Sequence, residues 1–167
     1  MIYLAQLFGF FALVILIISF QSNNKKTLLK YQIFSSLFFA IQYLCLNAIT
    51  GCLMNLMTMI RNIIYKMFKK TPLLFVSLII IIMIILSVFS YNGLISLLPT
   101  IAVILYSVAL WQKSLKITRI TEIISCSLFI IYNINVLAII GLISTIIELL
   151  FAIIAVYKFD IKKNNNV

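Results

Sequence analysis

The sequence predicts an all-α polytopic membrane protein whose seven transmembrane helices form two parallel three-helix bundles joined by a linker helix, and three observations carry that prediction. Of the 167 residues, 65% are hydrophobic and only 10% charged, far from the about 45–50% apolar and about 25% charged usage of soluble domains. Basic residues gather in every second connection between apolar stretches, and the two halves of the chain repeat one another. At about 20 apolar residues per crossing, such a length holds roughly seven helices with almost nothing left outside the bilayer. A soluble catalytic or nucleic-acid-binding domain is thereby excluded.

Ile2 to Phe20 opens the chain without a basic n-region, and its apolar run is longer than a signal-peptide core, so it reads as a retained first helix. Thr27 to Leu46 follows a lysine-bearing connection, and Gly51 to Phe68 follows the uncharged Asn47-Ala48-Ile49-Thr50. Pro72 to Phe89 consists of Leu, Ile, Val, Met and Phe with few polar side chains, the composition of a helix that mainly faces lipid. Gly93 to Gln112 contains Pro99, which removes the hydrogen bond to the carbonyl of Ile95 and predicts a kink. That kink has two readings, a hinge for alternating access and a static bend. Thr118 to Leu137 and Ile140 to Tyr157 complete the spans.

The chain carries 13 Lys+Arg, 3 Asp+Glu and no His, a formal net charge of +10. In a soluble protein this would suggest nucleic acid; in a membrane protein it reports orientation. Lys25, Lys26 and Lys30 follow the first span, Lys66, Lys69 and Lys70 the third, Lys113, Lys116 and Arg119 the fifth, and Lys158, Lys162 and Lys163 the seventh. The intervening connections carry no charge. Basic residues mark the cytoplasmic side, which puts the N-terminus outside and the C-terminus inside. With no histidine, and with Asp160 in the tail as the sole aspartate, neither a serine-histidine dyad nor an intramembrane aspartyl pair can be built, and no enzyme is expected. Cys45, Cys52 and Cys126 form no CxxC pair and read as small apolar residues. No cofactor, metal or nucleic acid is called for.

At a spacing of 91, Leu7, Phe20-Gln21, Lys25, Thr27 and Ser36-Leu37-Phe38 fall on Leu98, Trp111-Gln112, Lys116, Thr118 and Ser127-Leu128-Phe129. After a one-residue deletion, Ala48-Ile49 and Gly51 fall on Ala138-Ile139 and Gly141 at a spacing of 90. Residues 1–70 thus form one three-helix repeat, 71–92 a linker helix that keeps the second copy parallel to the first, 93–158 the second repeat, and 159–167 a cytoplasmic tail. Parallel repeats about an axis along the membrane normal are the organisation of SWEET-type transporters. The chain resembles that class in topology and not in motifs, for its one candidate proline is Pro99, opposite Phe8, and it has no Pro-Gln pair.

A closer likeness rests on Leu4-Ala5-Gln6 with Gly9, on Leu97-Leu98-Pro99 followed by Ala109-Leu110-Trp111, and on Ile131-Tyr132-Asn133 before Gly141. In these segments the chain resembles the YgjV-type family of bacterial inner membrane proteins over nearly its whole length. Where that family has Asn-x-Ile-Arg, this sequence has Thr58-Met59-Ile60-Arg61, so Arg61 carries over and the Asn does not. The resemblance implies location and fold, and brings no biochemical role.

A charge near the bilayer centre costs about 2.5–3.5 kcal/mol on insertion scales, so an intramembrane ionisable residue signals function or a specific partner. Glu148 lies near the middle of the seventh span, and Arg61 lies past the middle of the third. Glu122, three residues after Arg119, reads as its interfacial partner. At helical spacing Asn55, Thr58 and Arg61 share one face, as do Ser144, Thr145 and Glu148. The spacing of 90 sets Asn55 opposite Thr145 and Thr58 opposite Glu148, where repeat-built transporters bind substrate. Arg61 is then within reach of Glu148, either as an ion pair locking the repeats or as part of a substrate or proton site. Gln6, Gln42, Tyr132 and Asn133 are candidates for an outer vestibule. These residues point to a transporter or facilitator for an unknown small solute, in which a monomer suffices. The alternative is a non-transporting scaffold or accessory subunit, packed shut beside Thr58 and Glu148.

Overall fold

A computed structural model describes residues 1–20, 25–68, 72–112 and 114–161. Lys69, Lys70, Lys113, Lys162 and Lys163 of the charge pattern, Gln21 of the repeat and the tail beyond 161 lie outside the described residues. The described chain is all helical. Its elements are α1 (Ile2–Phe20), α2 (Lys25–Cys45), α3 (Ile49–Met67), α4 (Leu73–Phe89), α5 (Leu98–Gln112), α6 (Leu115–Asn135) and α7 (Ile139–Val156). A 3₁₀ turn, Leu94–Leu97, leads into α5, and a π turn, Tyr157–Ile161, follows α7. Apolar runs become helices here because only a helix satisfies every backbone N–H and C=O within one segment when no water is at hand.

By length and composition three stretches, Leu94–Gln112, Lys116–Asn135 and Ile139–Val156, qualify to cross a bilayer, while Ile2–Ile18 and Leu73–Phe89 are apolar but shorter. Large apolar side chains such as Phe10, Ile17, Ile82, Ile85, Leu150 and Ile154 are 40–59% exposed on the outside of the bundle. A soluble surface does not tolerate such a continuous apolar coat. The more polar α2 and α3 turn their amides, hydroxyls and Arg61 inward: Ser35, Gln42, Arg61 and Asn62 are all buried.

α2 packs along both α1 and α3, and α6 along both α5 and α7. The two groups meet where α1 touches α7 and where α3 touches α5, while α4 lies against α3 and α5. Its buried stripe, Val76, Ile79, Met83 and Ser87, packs partly against Met54, Met57 and Val103. Thr100 donates to the Ser87 hydroxyl at 2.9 Å, and Thr50 donates to the Ser90 carbonyl at 2.9 Å.

One set of local interactions occurs twice, 90 residues apart. Ser35 Oγ donates to the Ala12 carbonyl at 2.9 Å, tying α2 to α1, and Ser125 Oγ donates to the Ala102 carbonyl at 2.9 Å, tying α6 to α5. α2 and α6 are each 21 residues long, and both end in a left-handed cap. In one, Ala48 N–H donates to Tyr43 O and Asn47 N–H to Leu44 O; in the other, Ala138 N–H donates to Asn133 O and Leu137 N–H to Ile134 O. The residues at the left-handed position are Asn47 (φ 55°) and Leu137 (φ 57°). The spacing is therefore 90 through the first two helices of each unit as well as the third, and the 91 read from sequence identities there is one residue off. Chance identities among Leu, Ser and Phe drew the alignment, whereas a hydrogen bond between two helices admits one register. Pro99 accordingly corresponds to Gly9 and not to Phe8.

Candidate functional site

A cavity of about 150 Å³ lies inside the bundle, and every helix except α4 contributes to its wall. α3 supplies Asn55, Thr58 and Arg61, and α7 supplies Ser144, Thr145 and Glu148. All six candidates from the sequence thus face one space. Ser144 and Thr145 bond back to the carbonyls of Ile140 and Gly141, and Asn55 Nδ2 donates to the carbonyl of Gly51 at 2.9 Å. These local bonds hold short polar groups against their own helices and leave the cavity open between them.

Arg61 is 3% exposed, yet it makes no ion pair with Glu148. Its Nη1 donates to Ser107 Oγ at 3.1 Å, its Nε and Nη2 donate to Asn62 Oδ1 at 3.3 and 3.1 Å, and its guanidinium lies 5.3 Å from the centroid of the Tyr106 ring. Tyr65 adds a bond from its hydroxyl to the Ser107 carbonyl at 3.0 Å. The pairing expected from helical spacing fails because α5, which touches α3 directly, offers nearer partners on that side. Glu148 meets a thiol instead, with Cys126 Sγ 4.0 Å from Oε2.

Glu122 also departs from expectation. Arg119 Nη1 donates to both carboxylate oxygens of Asp160 at 3.0 Å, and Glu122 turns into the cavity with Glu148. Gln32 and Tyr106 join it there, and sequence reasoning missed all three. A uniform spacing of 90 would have exposed the first pair, since it sets Gln32 opposite Glu122. Cys126 lines the cavity too, while Cys52 is buried in the apolar cluster around Tyr43 and Tyr132.

The end of the bundle carrying the α2–α3 and α6–α7 turns is closed by polar contacts between the two helix groups. Tyr43 Oη donates to Asn133 Oδ1 at 2.6 Å and Gly51 N–H to Tyr132 Oη at 3.0 Å, while within the second group Asn133 Nδ2 donates to Thr145 Oγ1 at 3.2 Å. Gln6 spans α1 and α7, donating to the Leu137 carbonyl and accepting from the Ile140 N–H, both at 3.0 Å. Gln42 donates to Gln6 at 3.3 Å, and its own Oε1 is buried without a partner. Tyr43 lines the cavity and Tyr132 lines a groove at the turn end, and their rings pack with centroids 5.8 Å apart. This pair of aromatic rings therefore reaches from one space to the other. Of the four vestibule candidates, Tyr132 faces that groove, while Gln6, Gln42 and Asn133 are engaged in the closing contacts. Pro99 is buried in the first turn of α5, where the 3₁₀ turn becomes α-helix, so its missing N–H falls among those a helix start leaves without an intrahelical partner.

Residues 3–163 match the family model Imp-YgjV, described as a bacterial inner membrane protein. No curated protein and no solved structure matches the chain.

Proposed function

The chain belongs to the Imp-YgjV family of bacterial inner membrane proteins, and from that premise we propose that it is a small-solute transporter or facilitator whose site is the cavity between its two helix groups. In this reading seven helices cross the bilayer as three, one and three, the two groups are parallel repeats, and the turn end faces outward while the lysine-rich end is cytoplasmic. The observation that carries it is the cavity itself: one arginine and two glutamates share about 150 Å³ inside the bundle. Each such charge costs about 2.5–3.5 kcal/mol to insert at mid-membrane. A scaffold has no use for that expenditure, and a carrier of polar solutes does.

The contacts also suit a rocking motion. Within each group the helices pack along their lengths, whereas the groups touch through two helix pairs and through the polar seam at the turn end. Breaking Tyr43–Asn133 and Gly51–Tyr132 would join the cavity to the outer groove. Pro99 sits where α5 changes from 3₁₀ to α geometry, the place for a hinge in the second group.

Single cysteines at Asn55, Thr58 and Thr145, in a background lacking Cys45, Cys52 and Cys126, test the pathway. Labelling by a membrane-impermeant thiol reagent is the expected result, and complete protection from both sides would favour a scaffold. Glu148→Gln should insert and fold normally but abolish the solute-dependent signal; unchanged uptake in that variant would reduce Glu148 to a structural group.

A further inference from the structure

Resting on that reading of the cavity, we infer that its solute is a compact zwitterion, an amino acid of the size of glycine, alanine or serine, held with its carboxylate at Arg61 and its ammonium at Glu122 and Glu148. The inference starts from how the two repeats differ at equivalent wall positions. Gln32 in α2 corresponds to Glu122 in α6, and Thr58 in α3 corresponds to Glu148 in α7. Arg61 corresponds to Phe151, which is exposed on the outside. The wall built by α6 and α7 is therefore acidic, and the α3 wall facing it carries the one arginine among the cavity's lining residues. Two near-copies have been made into a polarised pair.

The polarity is not cancelled inside the protein. Among the described residues no cation pairs with Glu122 or Glu148, and Arg61 is held by Ser107, Asn62 and Tyr106. Its five N–H donors make three bonds, from Nε, Nη1 and Nη2, so one N–H remains on each terminal nitrogen to donate to a carboxylate. An ammonium has three donors and no acceptor. The acidic wall offers it two carboxyl groups, with the Thr58 hydroxyl across the gap. A solute with only one of these charges would leave the opposite wall unsatisfied in a site of low dielectric, where an unpaired charge is most unfavourable.

Size narrows the class further. A cavity near 150 Å³ takes a benzene-sized molecule, roughly six heavy atoms, and alanine has about that many. Arg61 lies one helical turn beyond Thr58, the residue opposite Glu148, so the charged groups are offset by about 4.5 Å along the axis at about 1.5 Å per residue. A short molecule bearing both charged groups on one carbon spans that interval; a sugar or a peptide exceeds the space.

The test uses the full chain in lipid nanodiscs, with thermal unfolding followed against glycine, L-alanine, L-serine, ethylamine and propionate. At least one of the three amino acids should raise Tm in a saturable way, with ethylamine and propionate inactive at the same concentrations. Glu148→Gln and Arg61→Lys should each weaken the apparent affinity at least tenfold with the ligand-free Tm retained. Should Arg61→Lys fail to fold, Glu122→Gln provides the second charge variant. Stabilisation by ethylamine or propionate alone, or by none of the amino acids, overturns the inference. Thiol labelling of Thr58→Cys in the same nanodiscs reports on the pathway separately: a labelled protein blind to amino acids loses the zwitterion and keeps the transporter reading. An amino acid that binds but is not taken up into proteoliposomes keeps the zwitterion and defeats transport.

Discussion

Tyr43→Phe isolates the seam that joins the two helix groups at the turn end. The substitution removes one hydroxyl, which donates to Asn133 Oδ1 at 2.6 Å, and leaves the ring free to keep its packing on Tyr132 at 5.8 Å between centroids. Hydrogen bonds between membrane helices average about 0.6 kcal/mol and reach about 1.7 kcal/mol. Tyr43 is 3% exposed and Asn133 1%, which puts this bond toward the upper part of that range, because the abandoned Asn133 oxygen loses its partner in a buried position. If the bond exists only while the turn end is closed, its loss raises the open fraction by about 3- to 18-fold, the Boltzmann equivalent of the same range. The assay is the rate of thiol modification of Thr145→Cys by an impermeant reagent added from the turn side, in the background lacking native cysteines. Ser35→Ala is the control: it removes a bond of similar length that ties α2 to α1 within one group, so it should lower stability without opening the cavity. Equal acceleration by both variants, or none by Tyr43→Phe, would refute the assignment of the seam as a gate.

Leu137 holds a left-handed backbone at φ 57° with a branched side chain that is 62% exposed. Leu137→Gly should raise thermal stability by about 1 kcal/mol, since an L-residue there costs roughly 1–2 kcal/mol and the cap bonds are backbone; a lower Tm would show that the leucine side chain contributes more than its strain removes. Gly51→Ala places a Cβ 2.8 Å from Tyr132 Cε1 and 3.0 Å from Tyr43 Cδ1, which must push the rings apart. It should destabilise the protein by about 1–3 kcal/mol and speed turn-side labelling of Thr145→Cys; unchanged labelling would show that the rings part without opening the cavity. A hinge at Pro99 requires that Pro99→Ala slow solute exchange in proteoliposomes, and normal kinetics would leave the proline only the task of starting α5.

The sequence alone determined the helices and their ends to within a few residues, because in a chain this apolar the breaks are written in Gly, Pro, Asn and charge. It also singled out Arg61 and Glu148, since the insertion cost makes an ionisable residue within a span conspicuous, and both line the cavity. A recurrence between the two halves was legible, but its register was not. Leucine, serine and phenylalanine recur too often for identities to separate a spacing of 91 from one of 90, whereas the twin caps at Asn47 and Leu137 and the twin Ser35 and Ser125 bonds leave no choice. Partners were likewise decided only in three dimensions. Helical spacing says which face a side chain occupies and not which neighbouring helix approaches it, and the contact of α5 with α3 gives Arg61 to Ser107 and Tyr106, beside Asn62 of its own helix. Arg119 turns to Asp160 and releases Glu122 to the cavity. Hydropathy and charge act on each helix singly and can be read along the chain; hydrogen bonds between long polar side chains depend on which helices touch, and that is a property of the packed bundle alone.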